Sequence, residues 1–253
     1  MQSLGRLRRY AKKVRKRLWP VAVIAALLAF GAILMLVMVL GGEREPALEL
    51  PACVDVPVTP GIDVSYYQDK IEWQRVRKTG IRFAFIRVSD GLSVRDPMFN
   101  VNWEGARHAH LARGVYQHFR PEESATSQAD LVIEAIQRDR GELPPVLDVE
   151  VTGGKSPAQI EKAIRTWIER VRARLHVEPI IYTSPEFWRG AVGSADLTTQ
   201  PLWVAHYTAE CPRVPAPWSR WTFWQHSETG QVLGIQGPVD LDVLAGDLDA
   251  LSR

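Results

Sequence analysis

"GIDVSYYQDKIEWQRVRKTGIRFAFIRVSDG", residues 61–91, decides the fold. "GIDVS" (61–65) reads as a strand. "IEWQRVRKTG" (71–80) reads as a helix that stops at Gly80, and "IRFAFIRVSDG" (81–91) as a second strand. A strand, a helix and a strand in close succession form a parallel crossover unit. The first turn, "GIDVSYYQDK", lacks the GxGxxG of a dinucleotide-binding loop. That absence weighs against the rival doubly wound open sheet.

The alternation continues along the chain. Helices are expected over 97–114, 124–141 and 156–175, the last with Ser156 at the N-cap and Pro157 at N1. Strands are expected at "GVYQHF" (114–119), "PPVLDVEV" (144–151), "EPIIYTS" (178–184), "PLWVAHYT" (201–208) and "WTFWQHS" (221–227). Seven or eight strands in about 195 residues suit an α/β, TIM-like (β/α) barrel. The later helices are weaker, so the barrel should be irregular there. The sequence contains no internal repeat and no low-complexity segment.

The N-terminus is of another kind. Residues 1–20 carry eight Lys/Arg and no acid, and residues 21–40, "VAVIAALLAFGAILMLVMVL", carry no charge. Twenty apolar residues at ~1.5 Å each cross the roughly 30 Å hydrocarbon core of a bilayer. The basic flank predicts a cytoplasmic tail (1–20), a signal anchor (21–40), a Pro-rich linker (41–59) and an exported barrel domain (60–253). A cleaved secretory signal is the alternative, suggested by Gly41 and Gly42. The net charge is +2 and the tail holds +8, so the rest carries −6. An acidic exported domain is a poor nucleic-acid binder. The only two cysteines, Cys53 and Cys211, fall in the exported part, where one bridge between them is expected. The alternative is two unrelated thiols.

Polar residues gather where the expected strands end. Asp63 is on the first strand, Tyr116 on the third, Asp148 and Glu150 on the fourth and Tyr182 on the fifth. Trp203 is on the sixth, and Trp224 and Gln225 are on the seventh. Asp240 and Asp242 follow in "PVDLDVL". In a (β/α) barrel these ends meet at one mouth. Asp148 and Glu150 are two apart, so a strand points both to one side, roughly 6–7 Å apart. Like charges that close disfavour each other's ionisation, so one member stays protonated and can donate. A carboxylate-rich cleft walled by aromatic rings suits a carbohydrate. The six histidines form no HExxH or similar set, so neither a metal nor a cofactor is expected. Trp73, Trp103, Trp167 and Trp188 fall on helical segments and are expected to pack there. His118 and His206 fit a core as well as a cleft.

The opening stretch, "RGVYQHFRP", "LPPVLDVEV", "IIYTS", "PLWVAHYT" and "FWQHSETGQVLGIQGPVDLDVLAGD" together resemble glycoside hydrolase family 25, over about residues 60–247 and in order. The family's members are N-acetylmuramidases acting on peptidoglycan. The resemblance implies an irregular (β/α) barrel with Glu150 as general acid, Asp148 as its partner, and Asp63 and Asp240 in an acidic floor. Trp224 and Gln225 match cleft residues, as do Tyr182 and Trp203; Tyr116 is placed beside them as a wall residue. The expected partner is the glycan strand, bound by a monomeric domain in the periplasm or cell exterior, with the membrane reached through residues 21–40. Two acids two apart on one strand, rather than on separate elements, fit a substrate-assisted reaction through the sugar's acetamido group. A non-catalytic wall-binding module is one alternative. A hydrolase of another N-acetylated glycan is another, although the DxxDxDxE run of chitinase-like barrels is absent.

Overall fold

The computed structural model describes Phe30, Gly31, Met35 and residues 57–193, 195–208 and 211–250. The chain divides into two compact units, Met1–Pro46 and Ala47–Arg253. In the first, Phe30, Gly31 and Met35 are helical. The expected tail, the rest of the 21–40 span and residues 41–56 of the linker lie outside the described residues, as does Cys53 and with it the expected pairing to Cys211. Among the described residues no helix is long and apolar enough to cross a membrane, and no cysteine is free.

The second unit holds β1 (Val58–Val64), β2 (Phe83–Asp90), β3 (Val94–Arg95), β4 (Ala112–His118) and β5 (Val146–Asp148). β6 (Ile180–Thr183), β7 (Leu202–Ala205), β8 (Phe223–Gly230) and β9 (Val239–Ala245) follow. The helices are α1 (Trp73–Lys78), α2 (Phe99–His108), α3 (Ala125–Ile136), α4 (Pro157–Leu175) and α5 (Pro185–Phe187), which runs into a π turn at Trp188–Val192. The strands follow the order β1-β9-β8-β7-β6-β5-β4-β2, and β2 pairs back onto β1. Eight strands thus close a barrel, with β3 attached to the rim of β2. The first strand of the barrel begins at Val58.

The irregularity is larger than the sequence predicts. β9 runs antiparallel to both β8 and β1, while every other neighbouring pair in the ring is parallel. Only residues 231–238 join β8 to β9. A parallel return needs a crossover of about a dozen residues, so this link permits only a hairpin. The reversal brings the N-terminal half of β9, with Asp240 and Asp242, to the end of the barrel where β1 and β8 finish.

α4 starts as its sequence predicts, with Ser156 as N-cap and Pro157 in the first turn; Gln159 Oε1 accepts from the Ser156 N–H at 3.0 Å. Ile160, Ile164, Trp167, Ile168, Val171 and Leu175 form its buried stripe, at the spacing of one helical face. Trp73, Trp103, Trp167 and Trp188 are all buried in the layer between barrel and helices.

The barrel interior is a separate core. Phe85 stacks on Trp203 with centroids 4.6 Å apart, and Phe83 and Phe223 meet edge to face at 5.4 Å. Room for these rings comes from Gly61 and Gly114. A Cβ would stand 2.2 Å from the Phe83 ring at Gly61 and 2.4 Å from the Phe85 ring at Gly114. Gly114→Val should therefore cost about 3 kcal/mol through over-packing. Thermal denaturation should show a Tm lower by roughly 10 °C. An unchanged Tm would mean that the rings can shift.

Candidate active site

Strand register assembles the site at the mouth. His118 on β4 is level with Asp148 on β5, and Asp148 with Tyr182 on β6. Tyr182 is level with Trp203 on β7, Asp63 on β1 with Asp240 on β9, and Gln225 on β8 with Asp242. These residues, except Asp242, line a cleft of about 330 Å³ together with Glu150, Tyr116, Arg87, Tyr67, Tyr207 and Glu228. The alternation that brings them inward sends their chain neighbours into the outer layer.

Asp148 ends β5, and Glu150 lies just beyond it; Val149 between them is fully buried in the outer layer. Both acids face the cleft, as expected, and they are closer than strand rise suggests. His118 Nδ1 lies 3.0 Å from Asp148 Oδ2 and 3.4 Å from Glu150 Oε1. The side chain of Asp148 is 7% exposed and that of Glu150 is 41% exposed. The like-charge argument applies to Asp148: burial first, and the Glu150 charge second, push its carboxyl up to about 7 against the opposing pull of His118. For His118, burial favours the neutral ring, but its hydrogen bonds to Asp148 and Glu150 outweigh that and raise it to about 10. The ring is an imidazolium at neutral pH. His118, Asp148 and Glu150 place possible metal-ligand atoms within 4.8 Å of one another. A protonated ring donates hydrogen bonds and is not a ligand, so this trio in its neutral-pH state suits a charge clamp better than a metal. Asp148 Oδ1 is buried and has no hydrogen-bond partner.

The floor is a second acidic group. Gln225 Nε2 donates to Asp63 Oδ2 at 2.6 Å, while its Oε1 accepts from the hydroxyls of Tyr182 at 2.8 Å and Tyr207 at 2.9 Å. Trp203 Nε1 donates to Asp242 Oδ1 at 3.0 Å. Burial, then the charges of Asp240 and Asp242, drive Asp63 well above the usual carboxylate range. Burial raises Asp240 to about 6 and, joined by the Asp240 charge, raises Asp242 well above its ordinary value. Asp63 and Asp242 therefore retain protons in a range where a free aspartate has lost them.

The rim carries Tyr67 after β1, 71% exposed, and Tyr207 after β7, 50% exposed. Arg87 lies beneath the Tyr66–Tyr67 pair, 4.9 and 5.2 Å from the two ring centroids. Its Nε donates to Asp96 Oδ2 at 3.1 Å, and the same carboxylate accepts from the Tyr66 and Met98 N–H groups. One buried ion pair thus fixes the loop that presents Tyr67.

The structure brings Glu150, Asp148, Asp63, Asp240, Tyr116, Tyr182, Trp203 and Gln225 together. It does not bring Trp224, which is fully buried in the outer layer and donates from Nε1 to the His206 carbonyl at 2.8 Å. Adjacent strand residues cannot both face inward, and Gln225 takes the cleft side. Arg87, Tyr67 and Glu228 are cleft residues that the sequence reading missed, and His118 is one it left undecided. No signal in the sequence marks His118; only the parallel pairing of β4 with β5 sets it level with Asp148.

Several carboxyls facing one cleft, beneath tyrosines at the mouth of a (β/α) barrel, suit the acid chemistry of a glycosidase. The chain belongs to the glycosyl hydrolases family 25, whose family model matches residues 62–235. It is 40% identical over 210 residues to the uncharacterized protein YegX of Escherichia coli O6:H1, covering 81% of this chain and 75% of that one. It is 36% identical over 204 residues to Lysozyme M1 of Streptomyces globisporus, covering 76% and 69%. Among solved structures, the bacterial lysozyme from Streptomyces coelicolor aligns with a TM-score of 0.72 at 33% identity, covering 78% of this chain and 97% of that one.

Proposed function

We propose that this glycosidase is a muramidase that hydrolyses the β-1,4 bond between N-acetylmuramic acid and N-acetylglucosamine in peptidoglycan. The observation that carries the reading is the division of labour between two neighbouring carboxyls. Glu150 is open to the cleft, and Asp148 is buried beside it with Oδ1 unpartnered. Glu150 gives its proton to the glycosidic oxygen as the C1–O bond breaks. The acetamido oxygen of the muramic residue attacks C1, and the Asp148 carboxylate accepts the hydrogen bond of the acetamido N–H. Water then opens the cyclic intermediate at C1 and returns a proton to Glu150. Tyr67 and Tyr207 offer ring faces to the sugars.

Purified walls incubated with the protein should release reducing muramic ends. Proton NMR should show the first-formed product with the β configuration retained. Walls whose muramic residues lack the acetyl group should resist. An inverted product, or equal turnover of the de-N-acetylated wall, would remove the substrate-assisted step. Wall binding without any release would favour the non-catalytic module instead. The reading also places the barrel outside the cytoplasmic membrane, held by residues 21–40. In spheroplasts with an intact membrane, added protease should then digest the barrel.

A further inference from the structure

We propose that His118 is a positioning residue of this reaction, a fixed cation that favours the ionised form of Asp148 and holds its carboxylate beside Glu150. The inference rests on the acid pair acting as described above. Parallel pairing of β4 with β5 sets His118 level with Asp148, so one ring nitrogen reaches both acids, at 3.0 and 3.4 Å. The shorter bond occupies Oδ2 of Asp148 and leaves Oδ1 as the atom without a partner. The longer one touches Glu150 without burying it.

The surrounding charges show why a cation is needed there. Arg87 and Asp90 face the group from β2, Arg120 from the turn after β4, Tyr116 from β4, Tyr182 from β6, Asp63 from β1 and Asp240 from β9. The two arginines are committed elsewhere, Arg87 through its Nε to Asp96 and Arg120 to both oxygens of Asp90. Without His118, Asp148 has no hydrogen-bonding side-chain partner and stays buried beside the Glu150 carboxyl. A carboxyl so buried keeps its proton. A protonated Asp148 is a poor acceptor for the acetamido N–H. The histidine therefore acts through Asp148.

The test is the pH profile of kcat/KM on soluble muroglycan, measured with the full chain. His118→Gln keeps a hydrogen-bonding side chain and loses the charge. Its acidic limb should move up by about one unit or more, with turnover about tenfold lower at mildly acidic pH and recovering as the pH rises. KM should change little. His118→Lys, which restores a cation, should move the limb back. A purely structural role would lower the rate at every pH and leave the limb in place, and that outcome overturns the proposal. Nitrogen NMR of the parent protein gives a second readout that needs no turnover. The His118 ring should be doubly protonated at pH 8, and a neutral ring there also overturns it. Loss of the muramidase reading would appear separately, as a Glu150→Gln protein that still turns over.

Discussion

Glu150→Gln should slow release of reducing ends from purified peptidoglycan by about 10²–10⁴-fold, the contribution of a positioned general acid. The change is isosteric and falls on a side chain 41% exposed, whose one ion-pair contact is His118 at 3.4 Å. Fold and wall binding should survive it, with Tm within a few degrees of the parent. Asp148→Asn should lose turnover for a different reason. The amide keeps the shape but lacks the charge that the acetamido group needs, and removing one electrostatic stabiliser costs about 10²–10³-fold. The two variants separate on walls stripped of acetyl groups. There the parent already turns over slowly, so Asp148→Asn should cost little more, whereas Glu150→Gln should still cost its full factor. A Glu150→Gln protein at the parental rate would end the assignment.

The second large effect is on stability against pH. Asp63, Asp148, Asp240 and Asp242 are all raised in the folded protein, Asp240 to about 6 and Asp148 to about 7. A raised group binds its proton more tightly when folded. Its stabilisation is complete below the unfolded value, near 3.8 for aspartate, and is lost as pH climbs through the folded value. His118 has the same sign, and its contribution fades between 6.5 and about 10. Asp90, Asp139 and Glu178 are lowered by Arg120, Arg113 and Arg172, so their contribution is present above the usual carboxylate value and fades in stronger acid. Stability should peak at about pH 4–5 and decline from there to pH 9. Each displaced unit is worth about 1.4 kcal/mol, or roughly 3–6 °C for a domain of this size, so Tm should fall by more than about 10 °C. Asp242→Asn removes one buried acid that does not line the cleft and should flatten the alkaline slope. A Tm that rises from pH 5 to 9 would refute the raised carboxyls of the floor.

The alternating pattern was legible because strands and helices bury faces of different period. "IRFAFIRVSDG" and the α4 segment declared themselves in that way, and Ser156–Pro157 marked a helix start within one residue. Strand direction was not legible in the same way. "VDLDVLA" has the same composition whichever way it runs, and only the brevity of 231–238 decides the matter. The acids of the site were visible as polar residues at strand ends. Trp224 was misplaced because the family motif joins it to Gln225, although neighbouring residues on a strand must part. His118 escaped because its meaning depends on the neighbouring strand. A histidine beside a phenylalanine is unremarkable until register sets it level with Asp148. Arg87 and Tyr67 belong to a loop and an ion pair whose partner, Asp96, lies on the far side of a hairpin.

The reversed last strand also sets where the barrel's first and last strands meet the rest of the chain. Val58, where β1 begins, is level with Ala245, where β9 ends. Both lie roughly 16 Å by strand rise from Asp63, at the opposite end of the barrel from the cleft. The polypeptide therefore enters and leaves the barrel side by side, at the face remote from the chemistry.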